Sequence, residues 1–208
     1  SVQRRKQDEM PDELFYSQPR FVNHLDKNFR SRLTELYRHY LRNDFIVLDL
    51  MSSWVSHLPN NVKYKRVIGH GMNSQELISN KRLDEYWVQN FNINTILPLE
   101  SETVDCILIV AGWQYLQKPE QIAEELFRIL SPRGKIIISF SNRAFWSKAP
   151  RIWTETSIDE RIEYIISILA NNSFVIDQVV KEVTANLNIF SLFNNSNDPF
   201  ISVIASKK

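Results

Sequence analysis

Glycine is scarce in this sequence, 4 of 208 residues, and cysteine nearly absent, with Cys106 standing alone. A single cysteine can form no disulfide within the chain and no cysteine-based zinc cluster, and a lone thiol suits a reducing cytoplasm, the expected location. Charge of one sign is also lacking: 25 basic against 24 acidic side chains leave a formal net charge of +1. Nucleic acid and anionic membrane surfaces are therefore not expected as partners. No run of about 18 apolar residues occurs, and the polar start at residues 1–9 lacks the apolar stretch of a signal peptide. Neither membrane spanning nor export is expected. No metal-ligand spacing and no Gly-x-Gly-x-x-Gly stand in the chain, so neither a metal nor a nicotinamide cofactor is expected.

What is present reads as an ordinary globular domain, 43% apolar and 24% charged. Residues 1–21 are charged and carry Pro11 and Pro19, which predicts a loose amino-terminal arm; residues 22–208 read as a single domain. Leu25, Phe29, Leu33, Leu36, Tyr37 and Tyr40 recur at helical spacing and predict a helix over about 22–42. Short continuous apolar runs follow at 45–50, 66–69, 86–91, 104–110, 135–140, 174–181 and 200–205, the pattern of strands buried on both faces. Helical patterns lie between several of them, at 73–80, 119–130 and 157–171, the last opened by a Ser157–Glu160 capping box. Strands alternating with helices predict an α/β fold with a mostly parallel sheet and helices on both faces. No helix-length pattern separates the last two strands, so they are expected to pair antiparallel. The polar stretch at 194–198 reads as a loop.

Four phrases in series carry a resemblance: Val47-Leu48-Asp49-Leu50, Val67-Ile68-Gly69, Leu97-Pro98-Leu99 before Val104-Asp105, and Leu130-Ser131-Pro132-Arg133-Gly134-Lys135. Their order and spacing resemble the class I methyltransferases that use S-adenosylmethionine (SAM), in particular the type 11 small-molecule kind. The resemblance covers about residues 44–181 and implies a Rossmann-like seven-stranded fold, a SAM cofactor and a small-molecule methyl acceptor.

The chain departs from that family at its first motif, Asp-x-Gly-x-Gly-x-Gly, where it reads Asp49-Leu50-Met51-Ser52-Ser53-Trp54-Val55. Glycines there would allow positive φ and a close backbone approach to ligand. Their absence predicts a loop that follows a different path rather than a strained copy. Ser52 or Ser53 is expected to cap a short helical turn through His57 whose amino end faces the cofactor. Asp49 ends a buried strand, so its carboxylate must be bonded to the loop or face a cation. The family's ribose-binding acid is also missing: Gly69-His70-Gly71-Met72-Asn73 holds no carboxylate, which leaves Asn73 or a backbone group for the sugar and Met72 for the adenine face. Asn90, beside Phe91, stands where the family grips the adenine amine, and an amide can both donate and accept. Val110 and Ala111 complete the expected cofactor wall.

Ligands of open α/β sheets gather at the carboxyl ends of strands. Trp113, Gln114 and Tyr115 follow one such end, and Asn142 and Arg143 the next; these are the expected substrate residues, with Trp146 and Lys148 close by. Residues 16–24 can fold over the cleft as a lid. Methyl transfer is an in-line displacement that rests on positioning, so no catalytic residue is assigned, and His24, His57 and His70 stand as alternative bases. The missing glycines and ribose acid keep a second reading open, a non-catalytic descendant that keeps the fold and binds another ligand or a protein.

Overall fold

The computed structural model describes residues 2–183 and 198–208. Among them seven strands form one sheet: β1 (Ile46–Leu50), β2 (Arg66–Gly71), β3 (Glu85–Val88), β4 (Val104–Val110), β5 (Leu130–Phe140), β6 (Val175–Glu182) and β7 (Phe200–Ser206). Their order is β3-β2-β1-β4-β5-β7-β6. The first five run parallel, and β7 lies antiparallel to both β5 and β6. This is the mostly parallel sheet with an antiparallel terminal pair that the alternation of apolar runs and helical patterns predicts, and the Rossmann-like fold that the resemblance implies. The helices are α1 (Asp12–Phe15), α2 (Lys27–Tyr40), α3 (Ser74–Ser79), α4 (Pro119–Ile129), α5 (Arg151–Thr154) and α6 (Ile158–Asn171).

Strand periodicity divides the core in two. Val47, Val67, Leu108 and Ile137 point to one face, where Phe29, Leu33 and Tyr37 of α2 cover them. Leu48, Leu50, Ile107 and Ile138 point to the other, against Ile122 and Leu126 of α4 and Ile165 and Leu169 of α6. Each such side chain, fully buried, contributes roughly 1.5–3 kcal/mol, enough to fix both register and face. The predicted capping box opens α6: the Glu160 N–H donates to Ser157 Oγ, and the Ser157 N–H donates to Glu160 Oε2.

Three predicted boundaries shift by three residues or more. Strand β5 begins at Leu130 rather than 135, because Leu130 already pairs with Val104 ahead of the register shift. Helix α2 begins at Lys27 rather than near 22, because the Asp26 side chain accepts the Phe29 N–H at 2.7 Å and caps it there. Strand β3 stops at Val88, because the Asn90 carbonyl turns back to accept the Ile93 and Asn94 N–H groups. The polar loop read at 194–198 lies outside the described residues except for Asp198.

The amino-terminal segment is pinned to the rest of the molecule by buried charges. Lys6 Nζ donates to both Asp12 oxygens at 2.9 and 2.7 Å. Lys148, fully buried, donates to the Met10 carbonyl at 2.8 Å and pairs with Asp8 at 3.0 Å. A backbone bridge joins Lys6 to Pro150.

Candidate functional site

The carboxyl ends of β1, β2, β4 and β5 open into one cavity of about 650 Å³, roofed by residues 20–25. That volume falls within the roughly 300–1,000 Å³ of small-molecule sites, and its position is the one that open α/β sheets give their ligands.

The glycine-poor loop after β1 overturns two expectations. Met51 keeps a left-handed bend, φ 55°, so the chain does carry the strain, worth roughly 1–2 kcal/mol for a residue with a Cβ. The loop also contains no helical turn. Ser52 Oγ instead donates to Asp49 Oδ2 at 2.7 Å, and Ser56 Oγ donates to the same oxygen, so the hydroxyls are spent on the carboxylate and not on backbone capping. Its outer face is fastened from α3 and beyond: Asn80 Nδ2 donates to the Ser53 carbonyl at 3.0 Å, and Arg82 to the Leu58 and Pro59 carbonyls.

Asp49 is 7% exposed. Burial pushes its carboxyl up to about 6, with the Ser56 and Ser52 hydroxyls pulling the other way. His70 is 1% exposed and stacks on Phe91 at 3.9 Å. The Met51 N–H donates to His70 Nδ1 at 3.1 Å, so the proton sits on Nε2, which donates to the Gln89 carbonyl at 2.9 Å. Burial holds this imidazole down to about 4, against the pull of the Gln89 carbonyl. Both ring nitrogens are therefore committed to holding the loop, and His70 drops out as a base. His24 and His57 both line the cavity, and burial lowers both, His57 to about 4.

Of the residues expected at a cofactor site, Asp49, Met51, Ser52, Ser53, His70, Gly71, Met72, Asn73, Asn90, Phe91, Val110 and Ala111 all line the cavity. Gly69 does not. A Cβ there would fall 2.3 Å from Leu83 Cδ1, so it is bare to let Leu83 pack. Asn73 caps α3, accepting the Gln75 and Glu76 N–H groups, and donates to the Tyr16 and Ser17 carbonyls, so its amide is spent. Asn90 donates to Glu13 and accepts the Asn92 N–H. On the expected substrate side Gln114, Tyr115, Asn142 and Arg143 line the cavity. Trp113 does not; at 2% exposed it belongs to the core between sheet and α4. Lys148 is buried in the ion cluster and Trp153 packs on Phe140, and neither lines the cavity.

Among the cavity residues that escaped sequence reading, three bear on the chemistry. Glu76, in the first turn of α3, lines the cavity, with Oε1 accepting the Arg20 N–H at 2.7 Å. Tyr37 lines it from α2, with a buried hydroxyl that has no partner among the described residues. Phe145 lines it after β5. Helical spacing marks Tyr37 only as core, and nothing local marks Glu76 or Phe145.

Sheet order defines an α/β protein of the doubly wound class, with a cavity at its strand ends. Residues 32–138 match the model of the methyltransferase domain family, and the chain belongs to that family. No curated protein matches the chain. Among solved structures it is similar to a chain of the complex between the Haloferax volcanii Trm112 methyltransferase activator and a methyltransferase (16% identity, 88% of this chain and 91% of the other, TM-score 0.62). It is also similar to a SAM-dependent methyltransferase from Aquifex aeolicus (18%, 89% and 92%, TM-score 0.60). A third is the geranyl diphosphate C-methyltransferase of Streptomyces coelicolor, in complex with Mg2+, geranyl diphosphate and S-adenosyl-L-homocysteine (14%, 87% and 81%, TM-score 0.59). At these identities the likeness is one of fold. No described helix is long and apolar enough to cross a membrane.

Proposed function

We propose that the protein binds SAM between the ends of β1, β2 and β3 and methylates a small molecule held beyond β4 and β5. The observation that carries this reading is the cavity itself, which stays open at the strand ends although no glycine remains in the first loop. Met51 packs its side chain against Gly112 in the cavity wall; a Cβ on Gly112 would sit 3.1 Å from Met51 Sδ.

The residues present fit the cofactor. Asp49 offers a buried acceptor for an ammonium group, and the orphan Tyr37 hydroxyl a donor for a carboxylate. Gly71 holds no acid, but Glu76 supplies one to the same cavity, and its Oε2 has no hydrogen bond among the described residues. We assign the sugar hydroxyls to Glu76, since Asn73 is fully spent. Bound SAM supplies a methyl group activated on a sulfonium sulfur. The chain's own part is to orient the acceptor, exclude water with the 16–25 segment, and take up a proton where the acceptor carries one. His24, edge-on to Phe145 at 5.5 Å, stands in the acceptor half and is the base we favour. A small-molecule acceptor is supported by the size of the cavity, and a cytoplasmic site by the lone buried Cys106.

One observation favours the non-catalytic reading: both amides expected to grip the nucleoside, Asn73 and Asn90, are engaged within the protein. Calorimetric titration with S-adenosylhomocysteine decides. A methyltransferase is expected to bind it at micromolar levels or better, roughly −8 kcal/mol. No heat and no thermal shift at millimolar ligand defeat the proposal.

A further inference from the structure

The acceptor half of the cavity contains a guanidinium held in place before any ligand arrives. Arg20 lines it, with its carbon 4.5 Å from the Phe15 ring centre, 5.5 Å from Phe145 and 5.9 Å from Tyr16. One Nη2 bond, to the Phe15 carbonyl at 2.8 Å, fixes its orientation. No ion pair of Arg20 occurs among the described residues, whereas Lys6 is matched by Asp12 and Arg143 by Asp198. Glu76 meets Arg20 through its backbone N–H. A planar cation stacked on rings has lost little entropy still to lose, and its unspent N–H groups suit the paired oxygens of a carboxylate or phosphate.

A second observation lies on the same wall. Phe145 stacks on Tyr115 at 6.1 Å and donates its N–H to the Tyr115 hydroxyl. Next to it Gln114 is 2% exposed, spends its amide N–H on the Arg143 carbonyl at 3.1 Å, and leaves Oε1 buried with no partner among the described residues. An orphan acceptor is unfavourable until something donates to it. We propose that the methyl acceptor is an anionic, apolar-bodied molecule: its carboxylate or phosphate pairs with Arg20, its body lies on Phe145 and Tyr115, and a hydroxyl or amine on it donates to Gln114 Oε1. This rests on the methyltransferase reading only for the word acceptor; the binding site stands without it.

The test titrates the full chain, with and without saturating S-adenosylhomocysteine, with 4-hydroxybenzoate, 4-hydroxyphenyl phosphate and neutral 4-hydroxybenzyl alcohol, read by ligand-observed NMR. At least one anion is expected to bind tenfold or more tighter than the alcohol, and which one does so separates carboxylate from phosphate. Arg20→Gln is expected to abolish that preference, Arg20→Lys to keep part of it, and Gln114→Leu to weaken all three ligands alike. Thermal melting confirms that each variant is folded. Equal binding of acids and alcohol, no binding of either acid, or an Arg20→Gln protein that keeps the preference overturns the proposal. Absence of S-adenosylhomocysteine binding, by contrast, defeats the proposed function and leaves the anion arm to be read on the unliganded protein.

Discussion

A methyl group added to Gly112 would fall 2.7 Å from the Cβ of Met51. The left-handed bend at Met51 throws its side chain toward the turn after β4, and only a bare backbone there lets it in. Gly112→Ala is therefore expected to destabilise the fold by about 1–3 kcal/mol through overpacking. In a Met51→Gly background the same change is expected to be nearly neutral, since the clashing group is gone. Urea unfolding of the four proteins gives the coupling, and additive effects would show that the two residues act independently.

His70 and Asp49 pull acid stability in opposite directions. His70 is held neutral down to about pH 4 against an ordinary 6.5, so the unfolded chain gains its proton first and stability falls as pH drops between those values. Asp49 keeps its proton up to about pH 6 against an ordinary 3.8, so its contribution is present in acid and lost as pH rises through about 6. The two offset each other over the shared window. Asp49→Asn is expected to steepen the loss of stability between about pH 6.5 and 4.5 by on the order of 1–2 kcal/mol, and His70→Gln to flatten it, since His57, also lowered to about 4, still offsets Asp49. Identical slopes in urea midpoints across all three proteins would contradict both assignments.

Glu76→Gln tests the displaced sugar acid. The amide keeps one acceptor for the Arg20 N–H but loses the charge-assisted bond, so S-adenosylhomocysteine affinity is expected to drop about tenfold, near 1.4 kcal/mol, with melting temperature little changed. Unchanged affinity would move the sugar elsewhere.

Asp12→Ala strips two buried ammonium groups of a partner, Lys6 directly and Lys148 at 3.7 Å. Removing one member of a buried pair is worth about 3–5 kcal/mol, and here the loss falls on the segment that roofs the cavity. Limited proteolysis is expected to cut the variant before residue 26 much faster than the wild type, while β4 and β5 stay protected from hydrogen exchange. Equal cleavage rates would show that the charges do not hold the segment down.

The fold was legible wherever one-dimensional pattern suffices. Strand β4 shows its full span as seven consecutive strand-compatible residues, and Ser157 with Glu160 announces α6 by local chemistry alone. The general position of the site followed from the sheet. What sequence hid were commitments made across space. Whether Asn73 is available depends on the Tyr16 and Ser17 carbonyls, more than fifty positions away. The start of α2 depended on Asp26, whose side chain accepts the Phe29 N–H, a cap that apolar spacing does not show. The strain at Met51 was foreseen as too costly, yet His70, Asn80 and Arg82 together hold the loop in it.

The end of β2 touches this loop at Gly71, where a Cβ would lie 2.6 Å from the Ser52 carbonyl oxygen. The bare backbone at 71 and the course of the loop after β1 are thus coupled: the Ser52 carbonyl occupies the space through which a side chain at 71 would leave the strand. A side chain as large as aspartate fits at 71 only once residues 51–53 have given way, so the loop and the strand end can change only together.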